Sequence, residues 1–419
     1  MTAVAATGSG RRRLTQQDVE LICARHDRLF SARMGGARAV FAFHDLSGLN
    51  LSGRNLSDAD FTGAILNETR LVGSKLDNAS FFGADMQGAD FSEASMRRAD
   101  LRGACLRGAN LSGADLFEAD LREGAIASPD KDKGLRIHEH AARSGDACGA
   151  ILAGANLERS RLSGVIAMKA DFSDAIMKDC KLVRANLKQA RMSGANLSGA
   201  DMSGADISGA DMRDAVLVGA RTYGWTMGDA DMTGTLTDAP SGKSVNDLPY
   251  ENMLREHARW CETGGTEGKP SVFDRADLRN LKSISGYNLT ALSAKAAVFY
   301  GLNMEGVQLQ GAHLEGADLR GCNLRRADLR GARLAGAKLS GADLRDAHMG
   351  PLLISAERLL PCDLTGAQLK DADLARADLR QANLSGADLS RANLTGAHMR
   401  GADLTGVNRT GSRGLVGAN

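Results

Sequence analysis

Gly316-Ala-Asp-Leu-Arg-Gly-Cys-Asn-Leu-Arg-Arg-Ala-Asp-Leu329 repeats a five-residue phrase, Ala-(Asp/Asn)-(Leu/Phe/Met)-x-(Gly/x). About two thirds of the 419-residue chain is built from it, so the repeat must be read before anything else. Its large apolar centre falls on Leu314, Leu319, Leu324, Leu329, Leu334, Leu339 and Leu344 without interruption. On a helix each step of five rotates about 140°, which scatters the leucines over every face. On a flat strand an odd step alternates sides, so no face becomes apolar. One face is buried only if the chain turns a corner in every repeat and stacks on itself as a solenoid.

The remaining positions then have defined tasks. The centre and the Ala two residues before it point inward, large beside small. The Asp or Asn after that Ala sits at the corner and hydrogen-bonds nearby backbone. Gly two residues after the centre allows backbone angles that other residues resist. Successive turns should stack about 4.8 Å apart. The phrase resembles that of the pentapeptide-repeat family, which winds into a right-handed, four-sided (quadrilateral) β-helix. The resemblance implies an all-β solenoid with four repeats per turn. A faint internal echo at twenty residues agrees: Phe172, Met192, Met212 and Met232.

The chain divides into coil blocks and interruptions. Residues 1–40 read as a polar tail followed by a capping helix. In it Thr15 and Asp18 form a capping box, and Val19, Ile22, Cys23, His26 and Phe30 share one face through about Met34, closed by Gly35 and Gly36. Block 1 covers 41–126, with centres from Leu46 to Ile126. An insertion at 127–150 is expected to hold a short helix near Leu135–Arg143. Block 2 covers 151–237 in a different phase. A second insertion, 238–271, should carry an amphipathic helix capped by Asp247, with Met253, Leu254, His257, Trp260 and Cys261 on its apolar face. Block 3 covers 272–405, and a polar tail without an obvious cap covers 406–419. Within block 3, Gly350–Cys362 reads as a decorated corner, because Leu359 and Leu364 keep the phase of Leu344 and Met349.

The two helices repeat each other. Glu20–Phe30 lies over Glu251–Cys261, with His26 over His257, and both lead through a Gly-rich turn to Val-Phe (Val40-Phe41, Val272-Phe273). This reads as duplicated helix-plus-coil modules, the middle one with a degraded helix.

Composition narrows the function classes. The formal charge of +1 gives no global signal for nucleic acid or membrane partners, and no apolar stretch is long enough to span a bilayer. Seven scattered cysteines without C-x-x-C fit a reducing, bacterial cytoplasm; Cys180, Cys322 and Cys362 take the inward Ala position as small hydrophobes. The aspartates come one per corner with the same local task, and no G-x-S-x-G or H-E-x-x-H occurs, so no catalytic residue, metal site or cofactor is expected. Thr237-Asp-Ala-Pro-Ser-Gly-Lys-Ser244 ends like a phosphate loop but lacks its first Gly, and reads as a linker. His138 and His140 stand two apart, wrong for a shared helix face, and His313, His348 and His398 replace Asp or Asn at corners. The arginine clusters Arg97, Arg98, Arg102, Arg107 and Arg320, Arg325, Arg326, Arg330, Arg333 encircle the coil and read as solvated surface. Candidate partner contacts are Phe82 and Phe117, just after a centre, together with His26, His257 and Trp260 on the helices.

The expected function is therefore non-catalytic: a rod-like scaffold presenting flat faces to a protein partner, with self-association through the C-terminal coil edge near Asp388–Leu404. The family resemblance implies an alternative, since some members mimic DNA and bind DNA gyrase or topoisomerase IV. Mimicry demands a strongly negative rod, whereas block 1 is slightly acidic, block 2 near neutral and block 3 slightly basic. A secreted or membrane-associated effector is a further family-derived alternative, supported only by Arg11, Arg12 and Arg13.

Overall fold

The computed structural model describes residues 11–130, 134–244, 247–281, 283–355 and 358–414. The described chain forms two compact units, Met1–Ala239 and Pro240–Asn419. In each, a four-sided coil rises one turn per twenty residues. Val40 pairs in parallel with Asp60, Asp60 with Ser80, and Ser80 with Asp100, and the other three sides repeat the arrangement.

One repeat shows why five residues suffice. Ala59 and Phe61 are fully buried while Asp60 between them faces outward. The Phe61 N–H donates to the Ser80 carbonyl at 2.7 Å, and the Asp60 N–H to Ala39 at 3.0 Å, so the straight segment is held by the turns above and below it. The chain then turns through Thr62 and Gly63, closed by the Ala64 N–H donating to the Phe61 carbonyl at 3.0 Å. Gly63 sits at φ +60°, the left-handed region such a corner needs in its second central position. Thus the Asp lies on the flat side, one residue before the corner, and reaches forward to it: Asp60 Oδ1 accepts from the Thr62 N–H at 2.9 Å. The Phe61 and Phe81 rings stack with centroids 4.7 Å apart, the spacing of neighbouring strands.

Helix α1 (Gln16–Phe30) packs on the first coil and α2 (Tyr250–Glu262) on the second. The α1 capping box forms as expected, with the Thr15 N–H donating to Asp18 Oδ2 at 2.9 Å and the Asp18 N–H to Thr15 Oγ1 at 3.2 Å. The helix stops at Phe30, short of Met34, which is fully exposed. Asp247 does not cap α2: Pro249 occupies the N-cap, with no side-chain hydrogen bond. Before each helix the chain adds a short parallel pairing to the coil's second repeat. Arg13 pairs with Asp45 in the first unit; in the second, β3 (Lys243–Ser244) pairs with β4 (Ala276–Asp277). The duplicated module therefore includes the segment ahead of the helix.

The expected helix near Leu135–Arg143 is not there. Gly124–Asp130 (β1) and Gly134–Arg143 (β2) form an antiparallel hairpin. Leu135 and Ile137 alternate in sequence with the strand period, which a run this short leaves ambiguous. There is accordingly no degraded helix in the middle module, and Ile126 belongs to β1, not to a coil centre. Cys105 pairs directly with Asp146, so the coil continues across the insertion. A turn that normally spans twenty residues here spans 41. The extra length is one residue more than a multiple of five, which is the phase change seen in the sequence.

A second hairpin, β5 (Leu352–Ser355) and β6 (Arg358–Leu360), stands where the decorated corner was expected. Arg333 pairs with Asp363 across it, thirty positions on. Ten extra residues equal two repeats, so the phase survives and Leu359 mimics a centre; it is 49% exposed on β6. The coil also runs beyond Leu404, with Asn408 and Arg413 pairing to Asp388 and Asn393. Residues 1–10 and 415–419, expected as tails, lie outside the described residues.

This phase rule makes a prediction. Excising Leu352–Pro361 with Pro351→Gly restores a five-residue corner, the Gly being needed where the left-handed angle falls. The thermal midpoint should shift by only a few degrees, roughly the loss of a small apolar contact. Excising nine residues instead should abolish amide protection C-terminal to the cut, as read by hydrogen exchange. Equal behaviour of the two deletions would refute the rule.

Candidate interaction surface

The outward faces are built from Asp and Asn side chains already engaged by their own turns. Asp90, Asp201 and Asp206 accept from the N–H groups two residues on, in Ser92, Ser203 and Ser208, at 3.1–3.2 Å. Where Arg follows the centre, it forks back onto the same carboxylate. Arg102 and Asp100, Arg122 and Asp120, Arg213 and Asp211, Arg345 and Asp343, and Arg380 and Asp378 each share two bonds of 2.6–2.9 Å. The planar guanidinium suits this bidentate geometry. The Asp-Leu-Arg triplet was visible in the sequence, but its pairing was not read from it.

These contacts bear on chemistry. A general acid needs a carboxyl raised toward neutrality. Asp211 and Asp378 are instead held below the usual carboxylate range by Arg213 and Arg380. At Asp120, Asp328 and Asp343 burial pushes upward, but hydrogen bonds from Arg122, Arg330 and Arg345 more than offset it. Burial drives the Cys180 and Cys322 thiols up to about 12 and Cys23 to about 11, away from nucleophilic character. No His/Cys/Asp/Glu group able to hold a metal occurs among the described residues. The phosphate-loop-like stretch does not open a helix: Lys243 and Ser244 form β3, and the Ser241 N–H donates to Asp277 Oδ2 at 2.9 Å. A buried carboxylate therefore occupies the ground an anion would need.

The arginine clusters are largely neutralised. Arg97, Arg98 and Arg107 pair with Asp115, Glu118 and Asp146, and Arg320, Arg326 and Arg330 with Asp318, Glu305 and Asp328. Arg333 is exposed. Phe82 and Phe117 are half-buried beneath guanidinium groups, Arg102 over Phe82 and both Arg97 and Arg159 over Phe117, at 4.5–5.9 Å. Trp260 is half-buried with its ring 5.8 Å from His257. His26 and His257 are fully buried, which corrects their reading as surface contacts. Each accepts a backbone N–H on Nδ1, from Ala39 at 3.0 Å and from Ser271 at 2.9 Å. His313 is half-buried, His348 and His398 are exposed, and the side chains of His138 and His140 lie outside the described residues.

Exposed large apolar side chains are spread along the coil at Val40, Ile151, Tyr223, Met227, Val272 and Tyr287, and are grouped on the attachments. Leu21, Leu29 and Phe30 on α1, Met34 just beyond it, and Leu353, Ile354 and Leu359 on the second hairpin are all exposed. The hairpin's inner face packs Leu352 and Leu360 over Gly331.

Eight copies of the pentapeptide-repeat model match the chain, at 45–83, 74–113, 94–123, 146–179, 180–219, 308–346, 362–401 and 372–411. The chain belongs to the pentapeptide-repeat family. Its coil is the family's right-handed quadrilateral β-helix. Among solved structures it is similar to HetL, a pentapeptide repeat protein involved in heterocyst differentiation regulation in Nostoc sp. strain PCC 7120. That match has 25% identity over 94% of this chain and 97% of HetL, with a TM-score of 0.16. QnrB1, a plasmid-mediated fluoroquinolone resistance protein, matches at 19% identity over 56% of this chain and 95% of its own, with a TM-score of 0.23. A thylakoid-lumen pentapeptide repeat protein of Arabidopsis thaliana matches at 31% identity over 31% of this chain and 66% of its own, with a TM-score of 0.18. Curated proteins give no match. No helix among the described residues is long and apolar enough to cross a membrane.

Proposed function

We propose that this pentapeptide-repeat protein is a non-catalytic scaffold whose attachments, not its flat faces, bind a protein partner. The observation that carries this reading is the division of the surface. The faces' Asp side chains are largely tied up by their own turns and by Arg, whereas α1 and the β5–β6 hairpin hold apolar side chains in water. Exposed aliphatic and aromatic residues grouped on a rigid support are the usual core of a protein interface. Topoisomerase binding by DNA mimicry would need uncompensated negative faces, and the Asp–Arg pairs work against it. The seven free cysteines favour a reducing cytoplasm as its compartment.

The test is affinity purification with mass spectrometry from the native organism, using the full chain, a triple Leu353→Ser, Ile354→Ser, Leu359→Ser variant, and a variant lacking 238–270. A stoichiometric partner held by the full chain and lost from the triple variant supports the proposal. A topoisomerase retained by all three would replace it with the mimic reading. Self-association through the C-terminal coil edge is part of the same proposal; Asp388 and Asn393 are already paired by Asn408 and Arg413, so the edge is the turn above them, where Met399 and Leu404 are only half-buried. A strictly monomeric mass at micromolar concentration would remove that part.

A further inference from the structure

We propose that His26 and His257 are proton-operated latches, holding α1 and α2 against the first turns of their coils at neutral pH and releasing them on acidification. The geometry is the same in both units. Each ring is fully buried on its helix, and its Nδ1 accepts the N–H of the residue that leads into the first Val-Phe of the coil. An imidazole nitrogen that accepts carries no proton, so both rings are neutral with the proton on Nε2. Protonating Nδ1 would set a donor against a donor at 3 Å, Ala39 N–H in one unit and Ser271 N–H in the other. Nε2 of each ring is buried without a well-formed hydrogen-bond partner, and the nearby backbone of Ser57 or Thr290, which favours the charged ring, does not offset burial.

The surroundings of the two rings differ in a useful way. Around His26, burial opposes the charge most strongly. The Ser57 backbone, Asp27 on the same helix and Asp58 on the coil favour it, and Arg38 in the connecting loop opposes it. Around His257, burial is opposed only by the Thr290 backbone, and no charged side chain takes part. Both rings are thereby held below the ordinary imidazole range of about 6.5. The sign follows: the released helix binds the proton more readily than the docked one. Docking is at full strength above the ordinary pKa and weakens as pH falls through and below it.

Release would uncover an edge. Ala39 and Val40 begin the first turn of the first coil, and Ser271 and Val272 that of the second. Unpaired strand backbone there is a template for another chain. The duplication of ring, N–H acceptor and Val-Phe argues that one device was copied with its coil.

Hydrogen exchange by mass spectrometry on the full chain, at about pH 7.5 and about pH 5.5 and corrected for chemical exchange rates, reads the latch directly. Helix peptides 16–30 and 250–262 should lose protection on acidification relative to coil peptides, by up to about tenfold at pH 5.5, the ceiling set by the one pH unit between that pH and the ordinary imidazole pKa. His26→Asn places an amide oxygen where Nδ1 accepts, and does not titrate. In that variant 16–30 should become insensitive to pH while 250–262 still responds, and His257→Asn should give the reciprocal result. Should one variant fail to fold, the other unit's pair of measurements still decides. Protection independent of pH in the wild type, or pH-dependent protection of 16–30 persisting in His26→Asn, overturns the proposal.

Discussion

Phe61→Ala should destabilise the first unit by about 3–5 kcal/mol and leave the second untouched. Phe61 is fully buried, with its ring 4.9 Å from Phe41 below and 4.7 Å from Phe81 above. A globular core can close part of such a cavity by shifting a helix. Here the neighbours cannot approach, because the turn spacing is set by backbone bonds such as Phe61 N–H to Ser80 and Phe41 N–H to Asp60, both 2.7 Å. The cost should therefore sit at the upper end of the range. Phe61→Leu keeps most of the volume in a residue the neighbouring sides already use, and should cost about 1 kcal/mol. Repeat units couple mainly to their neighbours, so lost amide protection should be greatest in the turns of Phe41, Phe61 and Phe81 and fade along the coil. A uniform loss across both units would contradict this picture.

The coil was legible because every repeat states the same rule, and the inward Leu, Phe, Met and Ala positions follow from period five alone. Both helices were legible from the apolar faces around Cys23 and Leu254, and from Thr15 and Asp18. Their copied histidines were visible as well, but one sequence cannot say whether a His on an apolar face looks inward or out. The hairpins were hidden for a different reason. Ten inserted residues are two repeats, so the β5–β6 hairpin left no scar in the phase, and Leu359 passed for a centre. The first insertion did shift the phase, yet Leu135–Arg143 is too short to separate strand from helix by pattern. The arginine clusters were read as solvated surface, but the ion pairs they make there were not read. Their partners lie two residues back, as for Arg102 and Asp100, or about one turn away, as for Arg98 and Glu118. Candidate contact residues were least legible: Phe82 and Phe117 were chosen for pointing outward, and arginines from other repeats lie over their half-buried rings.

The buried pair Asp277–Arg279 should produce an effect as large as Phe61, with an unusual pH signature. The two side chains are 4% and 10% exposed. Arg279 donates to Asp277 through Nε at 2.9 Å and its terminal nitrogen at 2.6 Å, and the Ser241 N–H adds a third contact at 2.9 Å. Burial raises the Asp277 pKa, but Arg279 and the two backbone N–H groups outweigh it and hold the carboxyl below its usual range. In the wild type this pair therefore stabilises above the ordinary carboxylate pKa, and its contribution is lost as pH falls through the depressed value. Arg279→Ala leaves an uncompensated buried carboxylate and should cost about 3–5 kcal/mol at pH 7. Burial then dominates, the folded-state pKa rises above the unfolded one, and the sign reverses: protonation relieves the variant. The difference from wild type should accordingly shrink near about pH 4.5, while any His257 contribution is common to both proteins and cancels. Adding Asp277→Asn should recover part of the loss at pH 7, because the charge left behind is what costs. Denaturant unfolding followed by Trp260 fluorescence in a Trp225→Phe background reads the second unit. A loss equal at both pH values would mean that Arg279 acts through packing, not charge.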